Sequence, residues 1–139
     1  MKKYKVGYTT GVFDMFHIGH LNILRHAKDL CEYLIVGVST DEVVIEYKRK
    51  TPIILFEERI KIVEAIRYVD KVVSQESMDK LVAWNRFHFD VFFHGDDWKG
   101  TAMYNDIENK LKEVGCDIVY LPHTKNISST ILREKIMLN

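Results

Sequence analysis

His17 and His20 stand three residues apart with Gly19 between them, inside Gly11-Val12-Phe13-Asp14-Met15-Phe16-His17-Ile18-Gly19-His20. Two imidazoles so placed could hold an anion, share a metal, or do no more than cap a helix and meet solvent. Shared metal chemistry needs a third ligand, and no Cys or paired His-Glu arrangement at ligand spacing follows. The dinucleotide fingerprint G-x-G-x-x-G is also missing. Anion binding fits the local pattern better. The alternating run Lys5–Thr9 reads as a strand, and Leu21–Leu30 carries apolar residues at helical spacing. The histidines thus fall where a strand ends and a helix begins, at free backbone N–H groups and the positive end of a helix dipole.

The other groups able to do chemistry cluster in three further places. Lys48 and Lys50 belong to a basic loop closed by Pro52. Asp96, Asp97 and Trp98 lie in the polar loop 95–100. His123 and Thr124 precede Ile127, Ser128, Ser129 and Thr130, whose hydroxyls could cap a final helix at about 1 kcal/mol. A basic run is ordinarily a solvated loop, and Trp98 could equally be a core aromatic, so position must decide.

The elements between these clusters supply that position. Tyr33–Val38 is continuously apolar, as in a central parallel strand covered on both faces. Ser39-Thr40-Asp41-Glu42 suits a helix start. Helices are predicted over 56–67, 77–87, 103–114 and 128–137, and strands over 71–73, 90–94 and 117–121. Strands alternating with helices, joined by connections too long for hairpins, predict one doubly wound α/β domain spanning 1–139. Its five-stranded parallel sheet is Rossmann-like, with helices on both faces. Ligands in such sheets bind outside the carboxyl ends of the strands. All four polar clusters fall at such ends.

The 139 residues carry 20 basic and 20 acidic side chains. That balance argues against a protein built to grip nucleic-acid backbone. Two distant cysteines, Cys31 and Cys116, read as reduced thiols. Neither a leader-like apolar run nor a span of roughly 20 apolar residues is present, so a cytoplasmic protein with no membrane contact is expected.

The stretch ending His17-Ile18-Gly19-His20 resembles the signature of the nucleotidyltransferase superfamily that carries H-x-G-H. Within it, the chain looks most like the cytidylyltransferases, and among those the bacterial glycerol-3-phosphate cytidylyltransferases. The likeness includes Tyr33–Glu42, Glu58-Arg59, Arg67-Tyr68-Val69-Asp70, Gly95-Asp96-Asp97-Trp98 and Ile127–Thr130. It implies transfer of CMP from CTP, with Mg²⁺, to a small phosphorylated alcohol such as glycerol 3-phosphate. Pyrophosphate leaves by direct in-line displacement, a reaction that needs alignment and positive charge more than proton transfer.

The same resemblance implies the roles. His17, His20, Lys50 and Lys48 would be catalytic. Thr10, Gly11, Val12, Phe13, Gly19, Asp96, His123, Thr124, Ile127, Ser128, Ser129 and Thr130 would bind the nucleotide, and Gly19 would admit the backbone close to phosphate. Asp14, Lys48, Arg67, Asp97 and Trp98 would face the acceptor. No metal ligand is assigned, and a homodimer is expected.

Three departures from the family pattern matter. His123 stands where an arginine is usual, Asn126 replaces a glycine, and Val12 stands where a threonine is common. Ile127-Ser128-Ser129-Thr130 with Arg133 also resembles the ending of adenylyltransferases. Choline- or ethanolamine-phosphate acceptors, ATP in place of CTP, and a non-catalytic nucleotide-binding regulator are the alternatives.

Overall fold

The computed structural model describes residues 2–138. Strand β1 (Tyr4–Gly11) leads into helix α1 (Ile18–Leu30), which passes without a break into β2 (Cys31–Ser39). Helix α2 (Asp41–Lys48) follows, then α3 (Phe56–Glu64), β3 (Lys71–Gln75), α4 (Lys80–Phe87) and β4 (Val91–Gly95). A 3₁₀ turn (Asp96–Trp98), α5 (Ala102–Glu113), β5 (Asp117–Leu121) and α6 (Ser129–Leu138) complete the order.

The five strands are all parallel and ordered β3-β2-β1-β4-β5. Strand order reverses between β1 and β4, which opens a crevice at their carboxyl ends. Alternation along the strands assigns a face to each side chain. Phe93 joins Leu24 and Ala27 of α1 and Val63 of α3 on one face. Phe92 joins Tyr8 of β1 and Tyr104, Ile107 and Leu111 of α5 on the other. Cys31 and Cys116 are buried and unpaired. Among the described residues no helix is long and apolar enough to cross a membrane.

Helix boundaries differ from the sequence expectation for local reasons. The helix expected over 77–87 begins at Lys80, because Asp79 accepts the Leu81 N–H at 3.0 Å and Ser77 accepts the Asp79 N–H at 3.1 Å. These side chains satisfy donors that an extra turn would have used. The helix expected over 56–67 stops at Glu64, where the Ala65 and Ile66 N–H groups turn back onto Ile62 and Val63 in a tighter final turn. Thr40 caps α2 through the Val43 N–H, as the Ser-Thr-Asp-Glu run implied. Asn126 adopts φ 64°, the left-handed backbone for which the family's glycine is suited and which asparagine tolerates.

Arg59 fixes the edge of the sheet on which the site rests. It is fully buried, and its guanidinium donates to the Ile54, Val12 and Ser39 carbonyls and to the Asp41 carboxylate at 2.7–2.8 Å. The ends of β1 and β2 and the segment between α2 and α3 therefore share one anchor. Asp41 also accepts the Phe56 N–H at the head of α3.

Candidate active site

A cavity of about 460 Å³ opens where the strand order reverses. It gathers residues from the ends of β1, β2, β3 and β4, from α1, α2 and the strap after it, and from the start of α6. Every candidate from the sequence lines it except Asp96 and Arg67.

On the α1 side, His17 is the N-cap and His20 the third helical residue. The His17 ring accepts the Gly19 N–H at 3.0 Å, and the His20 ring accepts the His17 N–H at 3.2 Å, each through Nδ1. This is a capping box built from two imidazoles instead of a hydroxyl and a carboxylate. A backbone N–H can only donate, so both Nδ1 atoms are unprotonated acceptors and both protons sit on Nε2. Burial lowers both histidines from the ordinary imidazole value, His20 to about 3, with the His17 ring adding to the effect. Two neutral rings thus offer N–H donors beside a helix N-terminus. A Cβ on Gly19 would come within 2.8 Å of the His17 ring, so that glycine is needed for the imidazole as well as for any ligand.

The start of α6 forms the adjoining wall. The Ser128 hydroxyl accepts the Ile131 N–H at 3.0 Å, the cap the sequence predicted. Ser129 donates to the Asp14 carbonyl at 2.6 Å, which docks α6 onto the loop before α1. The Asn22 amide of α1 donates to the Thr124 hydroxyl at 2.8 Å.

His123 bonds through Nδ1 to Asp96 at 2.5 Å, and its backbone N–H reaches the same carboxylate oxygen at 3.3 Å. The pair raises the His123 pKa and lowers that of Asp96, the hydrogen bond between them being the largest cause of each. Asp96, assigned to the nucleotide from the sequence, is turned toward His123 and does not line the cavity.

Across the β1 edge the chemistry changes. Lys48 ends α2 and Lys50 lies in the strap beyond it, both lining the cavity. Desolvation and the neighbouring Lys50 charge hold Lys48 below the usual lysine range. Asp97 folds back over the end of β4, so that a Cβ on Gly95 would lie 2.8 Å from its carboxylate. Trp98 lines the cavity while packing 5.9 Å from Tyr104, centroid to centroid, so it is both wall and core.

Asp14 lines the cavity, but its own polar atoms are already engaged. Its carboxylate is buried and accepts the Ile53 and Ile54 N–H groups at 2.8–2.9 Å, with Arg133 at 3.3 Å. It touches the cavity, but its hydrogen bonds go to the strap and α6, which makes it a support of both walls. Arg67 is exposed and precedes β3, at the opposite edge of the sheet from the cavity. The chain turn after α3 precedes it, and it does not line the cavity.

The sequence reading missed Lys80. It is 3 % exposed, donates to Gln75 at 2.7 Å and to Thr10 at 3.2 Å, and pairs with no carboxylate among the described residues. Burial brings its pKa down to about 8. Gln75 also donates to Ser39, so three strand ends are joined beneath the cavity. The Thr10 oxygen accepts from Lys80, which leaves its own O–H free to donate into the cavity. At sequence level Lys80 was one lysine in a helical pattern, and nothing marked it as buried.

The crevice of this doubly wound sheet is thus lined by two neutral imidazoles and by lysines that, among the described residues, have no carboxylate within ion-pair distance. Residues 8–135 match the Cytidylyltransferase-like family, and the chain belongs to that family. It is 39 % identical over 132 residues to "Glycerol-3-phosphate cytidylyltransferase" of Bacillus subtilis, covering 92 % of this chain and 94 % of that one. It is 36 % identical to "Ethanolamine-phosphate cytidylyltransferase" of Mus musculus over 92 % of this chain but 31 % of the longer mouse protein. The solved lipopolysaccharide core biosynthesis protein of Thermoplasma volcanium shares the fold with a TM-score of 0.74 at 23 % identity, over 89 % of this chain and 99 % of that one.

Proposed function

We propose that this chain, as one domain, transfers CMP from CTP to glycerol 3-phosphate, giving CDP-glycerol and pyrophosphate. A phosphate oxygen of the acceptor forms the new bond to the α-phosphorus of CTP as the bond to the β-phosphate oxygen breaks. No covalent enzyme intermediate and no general base is required, since the attacking oxygen already carries charge. The observation that carries this reading is the lining of the cavity. Neutral Nε2–H donors, the α6 N-terminus and the lysines after β2 line one and the same cavity.

His17 and His20 donate to the oxygens of the transferring phosphate, and Ser128 to Thr130 with the α6 N-terminus hold the outer phosphates. Lys48, Lys50 and the buried charge of Lys80 draw in the acceptor phosphate and align it. Mg²⁺ bound with the nucleotide would supply positive charge against the leaving pyrophosphate. Among the described residues no three His, Cys, Asp or Glu side chains converge to hold a metal, and we assign the ion no protein ligand. A homodimer in the cytoplasm, supplying an activated glycerol unit for a cell-wall polymer or capsule, completes the proposal.

A second reading, ethanolamine phosphate as acceptor, is favoured by the 36 % identity to the mouse relative. The test is pyrophosphate release across CTP and ATP paired with glycerol 3-phosphate, ethanolamine phosphate and choline phosphate, with Mg²⁺. Release with CTP and glycerol 3-phosphate above all other pairs is expected. Release with ATP alone, or with no pair, would overturn the proposal.

A further inference from the structure

His94 closes β4 and lines the cavity, yet it presents the opposite chemistry to His17 and His20. It shares a sheet face with Phe92, whose ring lies 6.0 Å away, and packs 4.7 Å from Tyr104 of α5. Its Nδ1 lies 3.4 Å from the Gly95 carbonyl oxygen. A carbonyl can only accept, so the long contact favours the proton on Nδ1; the other tautomer would set two lone pairs face to face. Nε2 is then a bare acceptor. Among the described residues no donor reaches it. Burial holds the ring neutral, with its pKa lowered to about 4, so the acceptor persists at neutral pH.

A phosphate near pH 7 has few protons to give such a nitrogen, whereas a hydroxyl donates readily. An ammonium group also carries donors, but the charges of both Lys80 and Lys48 already repel positive charge at this ring. The Gly95 carbonyl and Asp97 act in the other direction, yet burial, the largest cause, keeps the ring neutral. The environment therefore suits a neutral donor close to the acceptor phosphate.

We infer that His94 is a specificity-determining residue whose Nε2 accepts a hydrogen bond from a hydroxyl of the phosphorylated alcohol, selecting polyol phosphates over acceptors without that hydroxyl. This rests on the reading of the cavity as a CMP-transfer site, and it concerns the alcohol end that this reading leaves open.

The test compares kcat/KM, with saturating CTP, for glycerol 3-phosphate, for n-propyl phosphate of equal chain length without free hydroxyls, and for ethanolamine phosphate. The native enzyme is expected to prefer glycerol 3-phosphate to propyl phosphate by about tenfold or more, the scale of a lost hydrogen bond that leaves a buried partner unmade. His94→Leu is expected to collapse that preference by raising the acceptor KM while leaving CTP binding in place. His94→Gln, which returns an acceptor oxygen near the Nε2 position, is expected to restore most of it. CTP titration checks that each variant is folded. An unchanged preference in His94→Leu overturns the inference alone. So does equal use of glycerol and propyl phosphate by the native enzyme, a result that needs no variant to fold. A superior rate with ethanolamine phosphate overturns the inference in favour of an ammonium site. Failure of every acceptor to release pyrophosphate from CTP overturns the underlying reading as well.

Discussion

The rings of His17 and His20 stack with centroids 3.8 Å apart and planes 22° from parallel, each locked by a backbone N–H on its Nδ1. The stack explains how two imidazoles can stand so close without repelling: neither is charged. It also separates two duties that one substitution would confound, capping the helix and donating from Nε2.

Asparagine can cap a helix as well as histidine does here, but it has no donor at the Nε2 position. His17→Asn should therefore keep the melting temperature within a few degrees of the native value while turnover falls on the order of 10²-fold. His20→Ala should lose a similar factor in turnover. Near-native rates in either variant, measured by pyrophosphate release, would remove that ring from the reaction. The stability sign follows from the lowered pKa values. The unfolded state binds protons near pH 6.5 and the folded rings do not, so their contribution is complete above pH 6.5 and is lost as pH falls through the lowered values, about 3 for His20.

His123 should make nucleotide binding sensitive to pH in the opposite sense. When neutral, it donates Nδ1–H to Asp96 and turns a bare Nε2 outward. When protonated, it offers an Nε2–H to phosphate, as an arginine would. Its pKa is raised, so the charged form and its pairing with Asp96 are fully present below pH 6.5 and are lost as pH climbs through the raised value. The KM for the nucleotide should rise over that interval, and His123→Arg should flatten the rise. A variant profile identical to the native one would refute the role.

Lys80 should govern the acceptor, in a separate pH window. Its ammonium loses charge above about pH 8 in the free enzyme, so the KM for glycerol 3-phosphate should increase there while that for CTP moves less. Folding responds the other way. The unfolded lysine keeps its proton to about 10.5, so stability from this group rises as pH passes from 8 to 10.5. Lys80→Met should raise the acceptor KM at pH 7 with only a modest change in stability, because removing a desolvated cation offsets part of the cost of leaving Gln75 and Thr10 without that donor. A destabilised protein with a native KM would show Lys80 to be purely structural.

Arg59 should be the most costly single residue to lose. Arg59→Leu orphans three carbonyls and the Asp41 carboxylate, an expected loss of about 3–5 kcal/mol in denaturant unfolding. Arg59→Lys should recover only part of this, since an ammonium cannot reproduce the planar fork. Loss below 1 kcal/mol for the leucine variant would contradict the anchoring role.

The elements that could be read from sequence are those whose signal is local. Apolar Tyr33–Val38 announced a covered central strand, and Thr40 announced a helix start. His17-Ile18-Gly19-His20 announced an anion site at the first strand-to-helix turn. What escaped depended on partners far along the chain. Lys80 is buried because Thr10 and Gln75 receive it, and no helical pattern records that. Asp14 reads as a polar residue beside the histidines, but its partners Ile53, Ile54 and Arg133 lie about 40 and 120 residues further on. Arg67 carried a family motif, yet the turn after α3 sets it at the far edge of the sheet. His94 differs from His17 and His20 in what the backbone sets against Nδ1, a carbonyl in place of an N–H.

Asp14 ties the two walls of the cavity to each other. One carboxylate holds the strap that carries Lys50, and the same residue holds Arg133 and Ser129 of α6. Were a ligand to draw Arg133 away from Asp14, the strap would lose the tie that Arg133 also makes to the Thr51 carbonyl. Linkage then runs both ways: whatever factor the nucleotide imposes on acceptor affinity, the acceptor must impose on the nucleotide.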